Sequence, residues 1–144
     1  MKIVCRRFQE LTLQQLYDIL ALRVNVFVVE QNCPYEELDY RDQEAVHVWL
    51  EDEEGVQAYL RVMDRGVESE YVSIGRVIAR KRRGGLGTSV LQAGIKAAEE
   101  MFHADQIYLE AQTYAVPFYE RSGFRVVSGV FDIDGISHVK MLKG

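Results

Sequence analysis

The 144-residue sequence predicts an α/β (α+β) chain built on a mixed sheet with helices on both faces. Three observations predict it. β-branched and aromatic runs recur between turn residues, as at Ala45–Leu50 and Tyr71–Ala79. Apolar residues at helical spacing, Leu86, Val90, Leu91, Ile95, Ala98 and Phe102, follow the second of these runs. The two kinds of segment alternate as βα-βββ-α-β-α-ββ, with no Pro/Gly/Ser-rich linker, repeat or low-complexity tract, so one domain over residues 1–144 is expected. With 48% hydrophobic residues there is enough apolar material for a single core.

Taken in order, residues 1–8 read as a strand, and Thr12 with Gln15 forms a capping box that opens a helix carrying Leu13, Leu16, Leu20 and Val24. The β-branched run Val24–Val29 blurs the helical period, and Gln31 to Glu44 reads as an ordered loop. Strands at 45–51 and 56–63 flank Asp52-Glu-Glu-Gly55, a hairpin turn. The strand 71–79 and the helix from 86 follow, then a strand at 106–112, a short helix at 115–121, and two final strands flanking Asp134-Gly135.

Composition narrows the function classes. No apolar run approaches the roughly 20 residues that span a bilayer, and residues 1–10 lack the apolar core and small-residue cleavage site of a secretory signal. A cytoplasmic protein without a membrane partner is expected. Cys5 and Cys33 have no metal-type spacing and read as free thiols, so no metal is expected. Nucleic acid is not expected as a partner either, because the net charge is −5 and the one basic cluster, Arg76, Arg80, Lys81, Arg82 and Arg83, has no interleaved aromatics.

That cluster leads into Gly84-Gly-Leu-Gly-Thr88, between the strand and the helix. Gly85 and Gly87 let a ligand approach the backbone, and the first amides of the helix have no intrahelical partners. With the helix dipole they favour an anion such as a phosphate. A Walker A loop would need a lysine before Thr88, and a dinucleotide fingerprint would need glycine where Val90 stands.

What the stretch does match is Arg/Gln-x-x-Gly-x-Gly, at Arg82, Gly85 and Gly87, and in this it resembles the acetyl-CoA pyrophosphate loop of the GNAT N-acetyltransferases. Downstream, Ala115, Phe118, Tyr119, Gly123 and Phe124 resemble the family's second signature, an alanine followed by Phe-Tyr and then Gly-Phe. Upstream, Leu22–Gln31 with Pro34, Glu37, Asp39, Asp42 and His47 is similar to the N-terminal half of the ElaA-like branch. The resemblance implies a GNAT-type fold with a mostly antiparallel central sheet and acetyl-CoA as co-substrate.

The resemblance also assigns roles. The pyrophosphate would lie on Arg82, Arg83, Gly84, Gly85, Leu86, Gly87 and Thr88, and the pantetheine arm would add as a strand along Val77, Ile78 and Ala79. Gln112 falls where relatives carry a pantetheine-binding asparagine. Tyr119 is the expected proton donor to the departing thiolate, since a phenol is protonated at neutral pH. The base is open: residues 71–79 hold no carboxylate, Tyr71 and Ser73 stand where relatives place a glutamate, and the candidates are Glu110, His47 or a water relay. His103 and His138 read as structural.

Residues 22–50 are expected to form the acceptor wall, with Arg23, Phe27, Glu30 and Gln31 touching substrate. From Glu30 to Glu54 there are ten acidic residues (Glu30, Glu36, Glu37, Asp39, Asp42, Glu44, Glu51, Asp52, Glu53, Glu54) against Arg41 alone, a surface expected to attract a cationic amine of a small molecule or peptide. Homodimerisation through residues 124–142 is expected by analogy. Two competing readings stand beside N-acetyl transfer: an acyl-CoA-binding sensor without turnover, and transfer with a different acyl donor or acceptor.

Overall fold

The central strands form where side chains alternate between two apolar surroundings. In the computed structural model, which describes residues 1–80 and 84–144, these are β2 (Val46–Asp52) and β3 (Gly55–Met63), paired antiparallel with Val48 opposite Leu60. Val46, Val48 and Leu50 join Ala58, Leu60 and Val62 on one face, while Trp49 and Tyr59 face the other way. Burial on both sides explains why residues 45–50 show so little polar alternation.

Among the described residues the other strands are β1 (Lys2–Arg7), β4 (Val72–Ala79), β5 (Ile107–Gln112), β6 (Phe124–Val126), β7 (Phe131–Ile133) and β8 (Ile136–Lys143). They form one sheet in the order β1-β2-β3-β4-β5-β8-β6, with β7 paired to β8. Every pairing is antiparallel except β4 with β5. A parallel pair needs a long crossover, and α2 (Leu86–Phe102) supplies it. The sequence reading missed β6, which is only three residues long and too short for a periodicity to register.

Helices cover both faces, as expected. α2 buries Leu86, Val90, Leu91, Ile95 and Ala98 against β2 and β3, and α3 (Val116–Glu120) seats Tyr119 in the same core. Gly94 makes the α2 contact close: a Cβ there would stand 2.7 Å from both terminal methyls of Leu60. On the opposite face α1 (Leu13–Val24) packs Ile19 and Leu22 on Val4, Trp49, Tyr59 and Ile78.

The α1 capping box forms as predicted, with Gln15 N donating to Thr12 Oγ1 and Thr12 N to Gln15 Oε1, both at 3.0 Å. Its buried stripe is Ile19, Leu22 and Arg23, however, and Leu13 is 87% exposed, because only the second half of the helix lies against the sheet. The β-branched run that follows winds as a π-helix over Asn25–Glu30, with Gln31 N donating to Val26 O.

Candidate active site

A break in strand pairing creates the site. β4 and β5 pair only at Val72 with Ile107 and Ser73 with Tyr108. Beyond Ser73, β4 follows β3 instead, through a bulge in which Tyr59 pairs with Ile78 but Arg61 pairs with Gly75. The extra residue is accommodated at Arg76, whose φ of +53° is a left-handed conformation costly for a residue with a Cβ. The β5-facing edge of β4 is thereby left without ladder partners up to Ala79.

The resulting cleft encloses about 790 Å³ and is lined by Val77, Ile78, Ala79 and Arg80 along the open edge. Gln112, Ala115 and Tyr119 line it from the β5 side, and Phe27, Glu30 and Gln31 come from the π-helical segment. It has two faces. Leu109 and Ala111 of β5 and Val139 and Met141 of β8 point into the α2 core, so Tyr108, Glu110, Gln112 and His138 share the α1 face. Tyr119 sits on the α2 side in edge-on contact with Phe118 and Phe124.

α2 begins at the far end of the cleft. Gly85 caps it at φ +90°, with no side-chain hydrogen bond to the first amides. At Gly87 a Cβ would come within 3.2 Å of the Phe118 ring and 3.6 Å of Ala79 Cβ, so the helix terminus, the open strand edge and α3 converge there. Gly84 and Thr88 are exposed beside it and Leu86 is buried beneath. Lys81, Arg82 and Arg83 lie outside the described residues.

Tyr119 is 8% exposed, and among the described residues its hydroxyl has no hydrogen-bond partner. Burial, reinforced by Tyr114, pushes its pKa above the ordinary phenol range and keeps the proton in place. Glu110 is exposed in the cleft, where Tyr108 Oη donates to its Oε2 at 2.6 Å. Burial and that carboxylate both raise the Tyr108 pKa.

Two sequence candidates stand elsewhere. His47 is fully buried and does not line the cleft. Its Nε2 donates to the Asp42 carbonyl at 3.0 Å, so its Nδ1 accepts from Tyr59 Oη at 2.7 Å, and neither nitrogen is left for a substrate. Burial lowers its pKa despite the opposing pull of Asp42. Arg23 is likewise fully buried and away from the cleft. Its Nε donates to Glu37 at 3.0 Å and its Nη1 to Asp42 at 2.6 Å, with the guanidinium 5.9 Å from the centre of the Tyr59 ring.

The acidic wall is corrected by the same network. Asp42 also accepts from Arg61 at 2.8 Å, Asp39 is held by Arg61 and Arg76, and Glu37 by Arg23 and Arg76. Arg76 Nε faces Glu37 closely without hydrogen-bond alignment, so that contact acts through charge. Burial works to raise the Asp39 pKa, but the Arg61 hydrogen bond and charge outweigh it and hold it at about 2. Of the ten acidic residues counted from Glu30 to Glu54, Glu30 alone lines the cleft. Arg76, counted in the basic cluster before the glycine loop, turns to Glu37, Asp39 and the Tyr35 ring, 5.5 Å away.

The network ties the loop between Cys33 and Asp42 to the sheet, which places Cys33 and Tyr35 on the cleft wall. Sequence reasoning missed Tyr35, Arg61, Glu68 and Asp134 as lining residues, and read His138 as structural although it lines the cleft. A pattern of acidic residues in one loop and lone arginines on two strands carries no pairing information until the strands are adjacent.

Among the described residues no group of His, Cys, Asp and Glu gathers as a metal site, and no helix is long and apolar enough to cross a membrane. Residues 11–144 match the family model described as an acetyltransferase (GNAT) domain. A crystal structure of an acyl-CoA N-acyltransferase from Pseudomonas aeruginosa is similar over 100% of both chains, at 36% identity and a TM-score of 0.93. The crystal structure of Escherichia coli ElaA covers 99% of both chains at 32% identity and a TM-score of 0.91. A UPF0039 protein of Schizosaccharomyces pombe is 35% identical over 98% of this chain and 95% of its own length. The open strand edge, the glycine-capped α2 terminus and Tyr119 thus stand in a fold shared along its whole length with an acyl-CoA N-acyltransferase, and the chain belongs to the GNAT acetyltransferase family as an acyl-CoA-dependent N-acyltransferase.

Proposed function

We propose that this protein transfers the acetyl group of acetyl-CoA to a primary amine of a small molecule or peptide, by direct attack within a ternary complex. The observation that carries the reading is the unpaired β4 edge, which opens a cleft lined by Tyr119, whose hydroxyl has no partner among the described residues. An extended amide-rich arm fits such an edge as an added strand would, along Val77, Ile78 and Ala79. Gly87 supports the fit, because its missing side chain keeps the α2 terminus against Phe118 and Ala79. The amides of residues 85–88 offer donors to phosphate, and Gln112 offers both a donor and an acceptor.

When bound, acetyl-CoA supplies an activated acyl carbonyl. Tyr119 Oη donates its proton to the sulfur as the carbon–sulfur bond breaks after the nitrogen–carbon bond forms, and the proton the new amide nitrogen sheds restores the phenol through water. Overall, an ammonium and a thioester give an amide, a thiol and one proton, and that proton must leave on the acceptor side. Glu110, Glu30, Gln31 and Phe27 all line the cleft, and the reading assigns them to that side. The same reading places the protein in the cytoplasm, where the donor is made; fractionation tests it.

The experiment is calorimetry of acetyl-CoA binding, followed by thiol release with a polyamine, an arylalkylamine, an amino sugar and a lysine peptide. Binding with amine-dependent release is expected. Binding without release across the panel would assign a sensor, and absence of binding would sink the reading.

A further inference from the structure

We propose that His138 is the base that takes the proton from the acceptor ammonium, an assignment that rests on the acyl-transfer reading above. His138 lies on β8 directly opposite Gln112 of β5 and lines the cleft on the face it shares with Tyr108 and Glu110.

Its hydrogen bonding fixes what it can do. Nδ1 stands 2.7 Å from the Ile136 carbonyl, which can only accept, so Nδ1 carries the hydrogen and the neutral ring has its lone pair on Nε2. Among the described residues Nε2 has no partner, yet the one sealed side-chain atom without a hydrogen bond is Arg76 Nε. Nε2 is therefore not sealed, and the residue, 9% exposed, belongs to the cleft lining. Phe131 on the neighbouring strand flanks the ring at 6.2 Å and, with the Nδ1 hydrogen bond, holds its orientation.

The two bases the sequence offered are less well suited, His47 because it is sealed with both nitrogens bonded inside the core, and Glu110 because one of its oxygens already accepts from Tyr108. A positioned base with its lone pair facing the nucleophile's side is what aminolysis requires, since an ammonium cannot attack. In the step, one N–H bond of the ammonium breaks and an Nε2–H bond forms, leaving a neutral amine; the imidazolium then passes the proton to water at the cleft mouth.

Two measurements test this. With the fastest amine of the panel, His138→Gln is expected to lower kcat by about 10²-fold or more while acetyl-CoA Kd stays within about two-fold, and added imidazole is expected to restore part of the rate in His138→Ala. In the wild-type protein, diethyl pyrocarbonate read by mass spectrometry is expected to modify His138 but not His47, with acetyl-CoA slowing the reaction. A His138→Gln enzyme with unchanged kcat, or a His138 inert to the reagent, overturns the assignment alone. A wild type that releases no thiol with any amine overturns the acyl-transfer reading and this assignment together.

Discussion

At the scale of single residues, the distinction that matters is which polar atoms are already committed. Tyr119 and His138 line the cleft and each keeps a polar atom without a partner among the described residues, whereas His47 and Arg23 have theirs engaged in the core. Tyr119→Phe removes the hydroxyl proposed as proton donor but keeps the aromatic contacts with Phe118 and Phe124. The expected result is a kcat lower by about 10²–10⁴-fold with little change in acetyl-CoA affinity, checked by steady-state thiol release and calorimetry. Because burial raises the Tyr119 pKa, any alkaline loss of rate due to its ionisation should begin above the ordinary phenol value of 10.0. Tyr119 was legible in the sequence because it belongs to a local signature. His138 was not, because one histidine in a late strand looks the same whether its Nε2 meets a core or a cleft.

At the scale of elements, α2 sets the geometry through two glycines. Gly94→Ala places a methyl 2.7 Å from two Leu60 carbons in a closed core, and overpacking of this kind costs about 1–3 kcal/mol. Urea unfolding should show that loss, and Leu60→Ala in the same chain should recover part of it, since residues in contact do not add. Gly87→Val should instead act on the donor site. The side chain meets the Phe118 ring, the α2 terminus shifts from Ala79, and calorimetry should register acetyl-CoA binding weakened by about ten-fold or more, with the unfolding midpoint moved far less. The strand–glycine–helix order was legible because period and punctuation are local. The splay of β4 from β5 was not, since it depends on Arg76 taking a left-handed conformation within a strand of ordinary β pattern.

At the scale of the whole molecule, Arg23, Arg61 and Arg76 bind an acidic loop to α1 and to two strands. Arg23→Met leaves Glu37 and Asp42 with an unbalanced buried charge, and breaking a buried pair in this way costs about 3–5 kcal/mol, measurable by urea unfolding. The pH dependence follows from the same groups. His47 has its pKa lowered from 6.5, so the unfolded chain binds more protons and its contribution is present above pH 6.5 and lost as pH falls below it. Asp39, held at about 2, and Asp42, also lowered, contribute fully above their ordinary 3.8 and lose that contribution as pH falls through their folded values. Stability should therefore decline in two acid stages, and His47→Gln should flatten the first, as read by unfolding midpoints between pH 7.5 and 3.

The sequence by itself determined the order of the strands and helices other than β6, the capping box at Thr12, the glycine entry to α2 and the family signature ending at Phe124. These depend on neighbours within a few positions, where periodicity, missing Cβ atoms and turn chemistry act directly. The tertiary structure alone decided that Glu37, Asp39 and Asp42 face arginines rather than a substrate, that His47 is sealed and that His138 lines the cleft. Those outcomes join residues far apart in the chain, and a charge or an imidazole acquires its role from the partner folding brings to it.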